Sequence, residues 1–187
     1  MLLDYSKLDG LNRYKLMSGS IVPRPVAWIV TEDNGVLNAA PFSYFIPLSS
    51  DPALVIVAIG KKDDKSPKDT LANILKNKKA TVCFANIDNL EEMDKTAYPL
   101  DKDESEIERY SIAVEQIMDD YPAMISSTQT ALFCSYFDTY KIEGDTTPIV
   151  LKIEHQFVAD DRIDEKNHLF IDNIARVGAS YKAVVDI

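Results

Sequence analysis

What most constrains this chain is how its apolar runs are joined. Short β-branched and aromatic runs follow one another with tight turns between them, where a parallel sheet would need long crossover connections. Residues 26–31 form one such run and 36–44 the next, with Asp33-Asn34-Gly35 as the turn. Asn-Gly readily takes the positive φ angles that a two-residue hairpin needs. Residues 53–59 are a nearly continuous apolar run suited to a strand buried on both faces, closed by the polar stretch 60–64. Residues 80–85, 132–142 and 149–159 add three strands, the last two separated by Glu143-Gly144-Asp145. Residues 169–174 suit a short final strand. The pattern predicts a mainly β chain with accessory helices, built as an antiparallel barrel, and argues against a doubly wound sheet.

One helix is clearly signalled, over 66–77. Ser66 suits its N-cap, Pro67 the first helical position, and Asp69 completes an S-x-x-D box. Leu71, Ile74 and Leu75 supply an apolar stripe at helical spacing. Residues 11–18 predict a shorter helical turn, with Leu11, Tyr14 and Leu16 facing inward. Residues 87–120 are acidic and helical in pieces, broken at Tyr98-Pro99. The 187 residues and 46% hydrophobic content fit one domain over 1–187, carrying an acidic helical insertion at about 87–120.

A net charge of −10 argues against nucleic-acid binding, because phosphates would be repelled. The runs D-N-L-E-E-M-D, D-K-D-E-S-E-I-E and A-D-D-R-I-D-E read as solvated faces. No apolar run reaches the roughly 18 residues of a membrane span, and the charged N-terminus has no signal core. A cytoplasmic protein that does not engage the membrane is expected. Cys83 and Cys134 lie in strand-like runs and are expected to be buried, reduced thiols. His155 and His168 lack metal-ligand spacing, and no metal site is assigned. Core packing is the expectation for Trp28, and ordinary packing for Tyr98, Tyr110 and Tyr121.

Two segments carry the chemistry. Residues 38–45 read N-A-A-P-F-S-Y-F at the end of a strand. Asn38, Ala39, Ala40, Pro41 and Phe42 offer small side chains and backbone for a planar ligand, and the Ser43 hydroxyl can donate to a phosphate. Residues 66–74 open the helix with Lys68, Asp69 and Thr70 in its first turn. N–H groups at a helix start lack intrahelical partners and favour an anion. Taken singly, each segment is more simply a buried strand end or a capped surface helix. Together they converge on one phosphate-bearing ligand with a flat aromatic body.

The order of these segments resembles the flavin reductase-like, FMN-binding split-barrel family, the group that includes flavoredoxin. The resemblance runs through S-I-V-P-R-P-V-A-W at 20–28, N-A-A-P-F-S-Y-F at 38–45, K-D-T at 68–70 and N-I at 73–74. It continues in V-C-F-A-N at 82–86, R-V-G at 176–178 and Tyr181. It implies an antiparallel split β-barrel, a homodimer, and FMN bound near the subunit interface. It places Arg24 and Pro25 near the ring or phosphate tail. Residues 38–45 would lie along the isoalloxazine and ribityl chain. Ser43, Lys68, Asp69 and Thr70 would surround the phosphate, with Asn73 in the same cofactor-binding set. Asp69 is expected to cap the helix or offer its N–H rather than its carboxylate.

Relatives of this kind pass hydride from NADH or NADPH to flavin, or relay electrons to a small-molecule or protein acceptor. Such transfer has no obligatory acid or base, so no catalytic side chain is assigned. An electron-carrier flavoprotein without NAD(P)H activity, or a non-enzymatic flavin- or heme-binding barrel, stays open as an alternative. Two features depart from the family pattern: Ala179 follows Gly178 where a second glycine is usual, and 90–130 matches loosely.

Overall fold

The structure is a computed structural model that describes residues 1–184. Helix α1 spans Gly10–Ser20, followed by the short strand β1 (Arg24–Pro25). Strands β2 (Ala27–Asp33) and β3 (Val36–Phe42) form a hairpin whose turn uses Asn34 and Gly35 at positive φ. Strands β4 (Phe45–Ser50) and β5 (Ala53–Gly60) form a second. Helix α2 (Asp69–Asn77) leads into β6 (Lys79–Cys83). Helices α3 (Leu90–Lys95) and α4 (Glu106–Arg109) and strands β7 (Val114–Glu115) and β8 (Met124–Ile125) follow. The long strands β9 (Thr130–Thr139) and β10 (Thr146–Val158) then pair with each other, and β11 (Ile174–Val177) with β12 (Ser180–Ala183).

The main sheet is antiparallel, in the order β3-β2-β6-β9-β10-β5-β4. Its two end strands, β3 and β4, are consecutive in the chain, so the sheet turns back on itself at Ser43-Tyr44. Alternation along β2 divides the packing into two cores. Ala27 and Ile29 join Val57, Ile59, Ile149 and Leu151 inside the barrel, where Leu71 and Ile74 of α2 pack among them. Val26, Trp28 and Val30 face the other way, beneath Met93, Ile107, Ile112 and Met124. The acidic segment is therefore an amphipathic cover over the outer face of the sheet, helical only at α3 and α4. Trp28 is fully buried in this outer core.

Several expectations are corrected. Helix α2 begins at Asp69 with Lys68 as its N-cap, not at Ser66. The Ser66 hydroxyl and N–H both donate to the Asp64 carboxylate, and Pro67 bridges to Lys61. Strand β4 falls where no strand was predicted. Its exposed run after Phe45 and its Pro47 fit an edge, where a missing N–H costs no ladder bond. The last strands are β11 and β12 rather than 169–174, and Leu169 and Phe170 are exposed. Leu11 and Tyr14 do not face inward: with Met17 and Ile21 they form an exposed apolar stripe, and Leu16 is half-buried. No helix among the described residues is long and apolar enough to cross a membrane. Cys83 and Cys134 are free and buried, and desolvation pushes their thiols up to about 11 and about 12, which leaves them inert as nucleophiles.

Candidate functional site

The inner side of β3 and the first turn of α2 share a buried polar network. Thr70 donates from its hydroxyl to Asn38 Oδ1 at 2.9 Å, and Thr31 donates to the same atom at 3.3 Å. Asn73 Nδ2 donates to the Thr31 hydroxyl at 3.1 Å. From the other side, Glu106 of α4 accepts on Oε2 from Asn38 Nδ2 at 2.9 Å and from the Ala39 N–H at 3.1 Å. All five side chains are buried. Desolvation pushes the Glu106 carboxyl above its ordinary value, while its own backbone N–H and the bonds from Ala39 and Asn38 oppose the shift.

These bonds follow from the position of β3 at the end of the sheet. Its open edge presents N–H and C=O groups that need partners. Ser105 donates to the Leu37 carbonyl and Glu106 accepts from Ala39, so the start of α4 covers the first half of that edge. Pro41 has no N–H to leave unpaired, so the second half needs no such donor cover.

Beside the network lies a cleft of about 520 Å³, lined by Asn38, Ala40, residues 61–64, Lys68, Asp69 and Thr70, and by 96–100 and Glu106; Asp63 and Asp64 are thus among its lining acids. A second hollow, of about 660 Å³, runs along Pro41, Phe42, Ser43 and Tyr44 against Arg13, Tyr14 and Met17 of α1. Lys68 lines both. The Lys68 ammonium has no ion pair or hydrogen bond among the described residues, and neither does the Ser43 hydroxyl. The N-terminus of α2 receives no side-chain cap. Asp69, which lines the first cleft beside them, has its carboxylate paired with Lys62 at 2.8 Å. A first turn without a cap, a free lysine and a neutralised acid together make a local anion site in an acidic protein.

The sequence-predicted residues therefore separate into three groups. Ala40, Pro41, Phe42, Ser43 and Lys68 line the clefts, and the Ser43 hydroxyl and Lys68 ammonium are free there. Asn38, Thr70 and Asn73 spend their side chains on the buried network, and Ala39 commits its N–H to Glu106. Asp69 does not cap the helix; its carboxylate is held by Lys62 at the edge of the first cleft, and its backbone N–H opens α2. Arg24 stands apart. Its guanidinium donates to the carbonyls of Ser18, Ile21 and Gly178, tying α1 to the β11–β12 turn. Pro25 is exposed beside it.

Glu106 is the site residue that sequence reasoning missed. It lies inside D-K-D-E-S-E-I-E, read as a solvated run, and only Ser105 as a helix cap next to the apolar Ile107 marks it. Of the tyrosines in the acidic segment, Tyr121 packs edge-on against Phe133, Tyr110 is half-buried, and Tyr98 is exposed on the rim of the first cleft. His168 pairs with Asp164, and His155 packs edge-on against Tyr121.

Comparison with known proteins bears on these features. Residues 17–176 match the family model described as a flavin reductase like domain. An uncharacterized protein of Halalkalibacterium halodurans is 30% identical over 168 residues, covering 86% of this chain and 80% of that protein. The crystal structure of nitrilotriacetate monooxygenase component B from Bacillus cereus has a TM-score of 0.92 at 23% identity, covering 100% of this chain and 96% of that one. An FMN-binding protein from Thermus thermophilus, solved with 1-cyclohex-2-enone, has a TM-score of 0.78 at 15% identity, covering 98% and 94%. At these identities the solved structures show a shared fold.

Proposed function

Because the chain belongs to the flavin reductase-like domain family and has its split-barrel fold, we propose that it is an FMN-dependent oxidoreductase. In this reading it takes hydride from NADH or NADPH and passes electrons to free flavin or to another small-molecule or protein acceptor. The observation that carries the reading is the uncapped start of α2, with Lys68 unpaired between two clefts that follow the small-residue wall of β3. One phosphate-sized anion site beside such a wall suits a mononucleotide with a flat ring.

The residues present fit such a cofactor. Lys68 and the first N–H groups of α2 would hold its phosphate, with the Ser43 hydroxyl as a further donor. Lys62 keeps the Asp69 carboxylate paired, so that it does not repel the anion. Ala40 and Pro41 leave the strand surface low, which lets a planar ring approach the backbone. Thr70, Asn73 and Asn38 hold strand and helix at a fixed spacing through their buried bonds. Bound flavin supplies the two-electron chemistry, and the chain supplies position and electrostatics.

A homodimer belongs to the same proposal. The exposed stripe of Leu11, Tyr14, Met17 and Ile21, with Ile46 and Leu48 on the edge strand β4, offers apolar surface for a second copy. Tyr14 and Met17 also line the second hollow.

The visible spectrum of the purified protein after incubation with FMN and desalting tests the reading. A flavin band retained by the protein supports it, and a sample that stays colourless contradicts it. Anaerobic mixing with NADH and NADPH then tests the donor. Rapid bleaching by either supports the reductase, and a flavin that neither reduces makes the protein an electron carrier.

A further inference from the structure

Among the described residues the buried charged side chains are Arg24 and Glu106. Arg24 donates to three backbone carbonyls. Glu106 is different: no lysine or arginine pairs with it, and both hydrogen bonds it accepts fall on one oxygen, Oε2. A glutamine could accept the same two bonds with its carbonyl oxygen and would avoid the cost of burying a charge. The scaffold therefore needs an acceptor at this position but does not need the negative charge. Glu106 also lines the cleft that Lys68, Asn38 and Ala40 line.

We propose that Glu106 is an electrostatic positioning residue. Its carboxylate fixes the Asn38 amide at the cleft wall and accepts from the buried Ala39 N–H, and its unpaired charge lowers the reduction potential of the flavin held there. The inference rests on the proposed binding of FMN. A hydride brings one negative charge into the cleft with its two electrons. A carboxylate screened from water opposes that added charge, whereas an exposed acid is screened and has little influence. Asp103, an exposed acid near the same strand, is therefore the control. The consequence is a bound flavin that gives up its electrons more readily than free FMN, which suits a protein that hands them on.

The test is the midpoint potential of FMN bound to the wild type, Glu106→Gln and Asp103→Asn, measured by dye-coupled reduction. Glu106→Gln retains both hydrogen bonds. It is expected to shift the reduced-to-oxidised ratio at a fixed poise about tenfold toward reduced, or about 30 mV for a two-electron couple. Asp103→Asn is expected to leave the ratio unchanged. An unchanged potential in Glu106→Gln overturns the inference while leaving FMN binding intact. A wild type that binds no FMN overturns the flavin reading and this inference together. A second measurement needs no variant: the wild type should bind oxidised FMN more tightly than reduced FMN, and the reverse order contradicts the proposal.

Discussion

Two polar regions meet at the first turn of α2, and their bonding is opposite. In the first, Glu106, Asn38, Thr31, Thr70 and Asn73 form a buried network in which every side chain is hydrogen-bonded to another member. In the second, Lys68, the Ser43 hydroxyl and the uncapped α2 terminus face open clefts without partners among the described residues. The comparison teaches where to look for a ligand. Satisfied buried groups hold the scaffold, because an unpaired one would be costly there. Donors left unpaired at a cleft cost little in water and remain available to an anion.

The largest expected effect comes from breaking the satisfied side. Asn38→Ala removes the donor to Glu106 and the acceptor of Thr31 and Thr70. It should cost about 3 kcal/mol, since the buried Glu106 carboxylate keeps only the Ala39 N–H and the Thr31 and Thr70 hydroxyls lose their acceptor. Thermal denaturation should show a fall of roughly 6–12 °C for a chain of this size. A fall within error would mean that the network is not the scaffold.

Breaking the unsatisfied side should do the reverse. Lys68→Ala is expected to weaken FMN binding about 10- to 100-fold, as loss of a charge-assisted contact does. The stability of the protein without flavin should stay within about 0.5 kcal/mol. Fluorescence titration and thermal denaturation on the same preparation separate the two quantities, and a change in stability without a change in affinity would reverse the comparison. Ser43→Ala should act in the same direction but less, costing about 0.5–1.5 kcal/mol of FMN affinity, the usual worth of one neutral hydrogen bond.

The smallest effect is a pH dependence. Burial raises the Glu106 pKa above its ordinary 4.5. Its contribution to stability is then full below that value and is lost as pH rises through the folded pKa. Glu106→Gln should remove this loss, so the variant gains on the wild type as pH rises from 4 to 7 in urea unfolding. A constant difference between the two proteins across that range would mean that Glu106 does not titrate differently on folding.

The sequence made the barrel strands readable because β2, β3, β5, β6, β9 and β10 are apolar, β-branched and bounded by turn residues. It hid β4, because an exposed edge strand needs no apolar alternation and tolerates Pro47. The start of α2 was misplaced because Ser66 and Pro67 carry strong helix-start chemistry. Asp64 competed locally for the Ser66 donors, and the helix began three residues later. Of the candidate site, Lys68 and Ser43 were legible from their chemistry and order. The structural duties of Asn38, Thr70 and Asn73 were not, because their bonds join residues 32 to 68 positions apart. Glu106 was hidden for the same reason, since its burial depends on the edge of β3 and not on its acidic neighbours.

The central claim is that Lys68 and the uncapped end of α2 hold a phosphate. The most direct measurement compares the affinities of FMN and riboflavin, which differ by that phosphate, for the wild type and Lys68→Ala. The account predicts that the wild type prefers FMN by at least about tenfold, or about 1.4 kcal/mol, and that the variant loses most of this preference. Equal affinities of the wild type for FMN and riboflavin would contradict it.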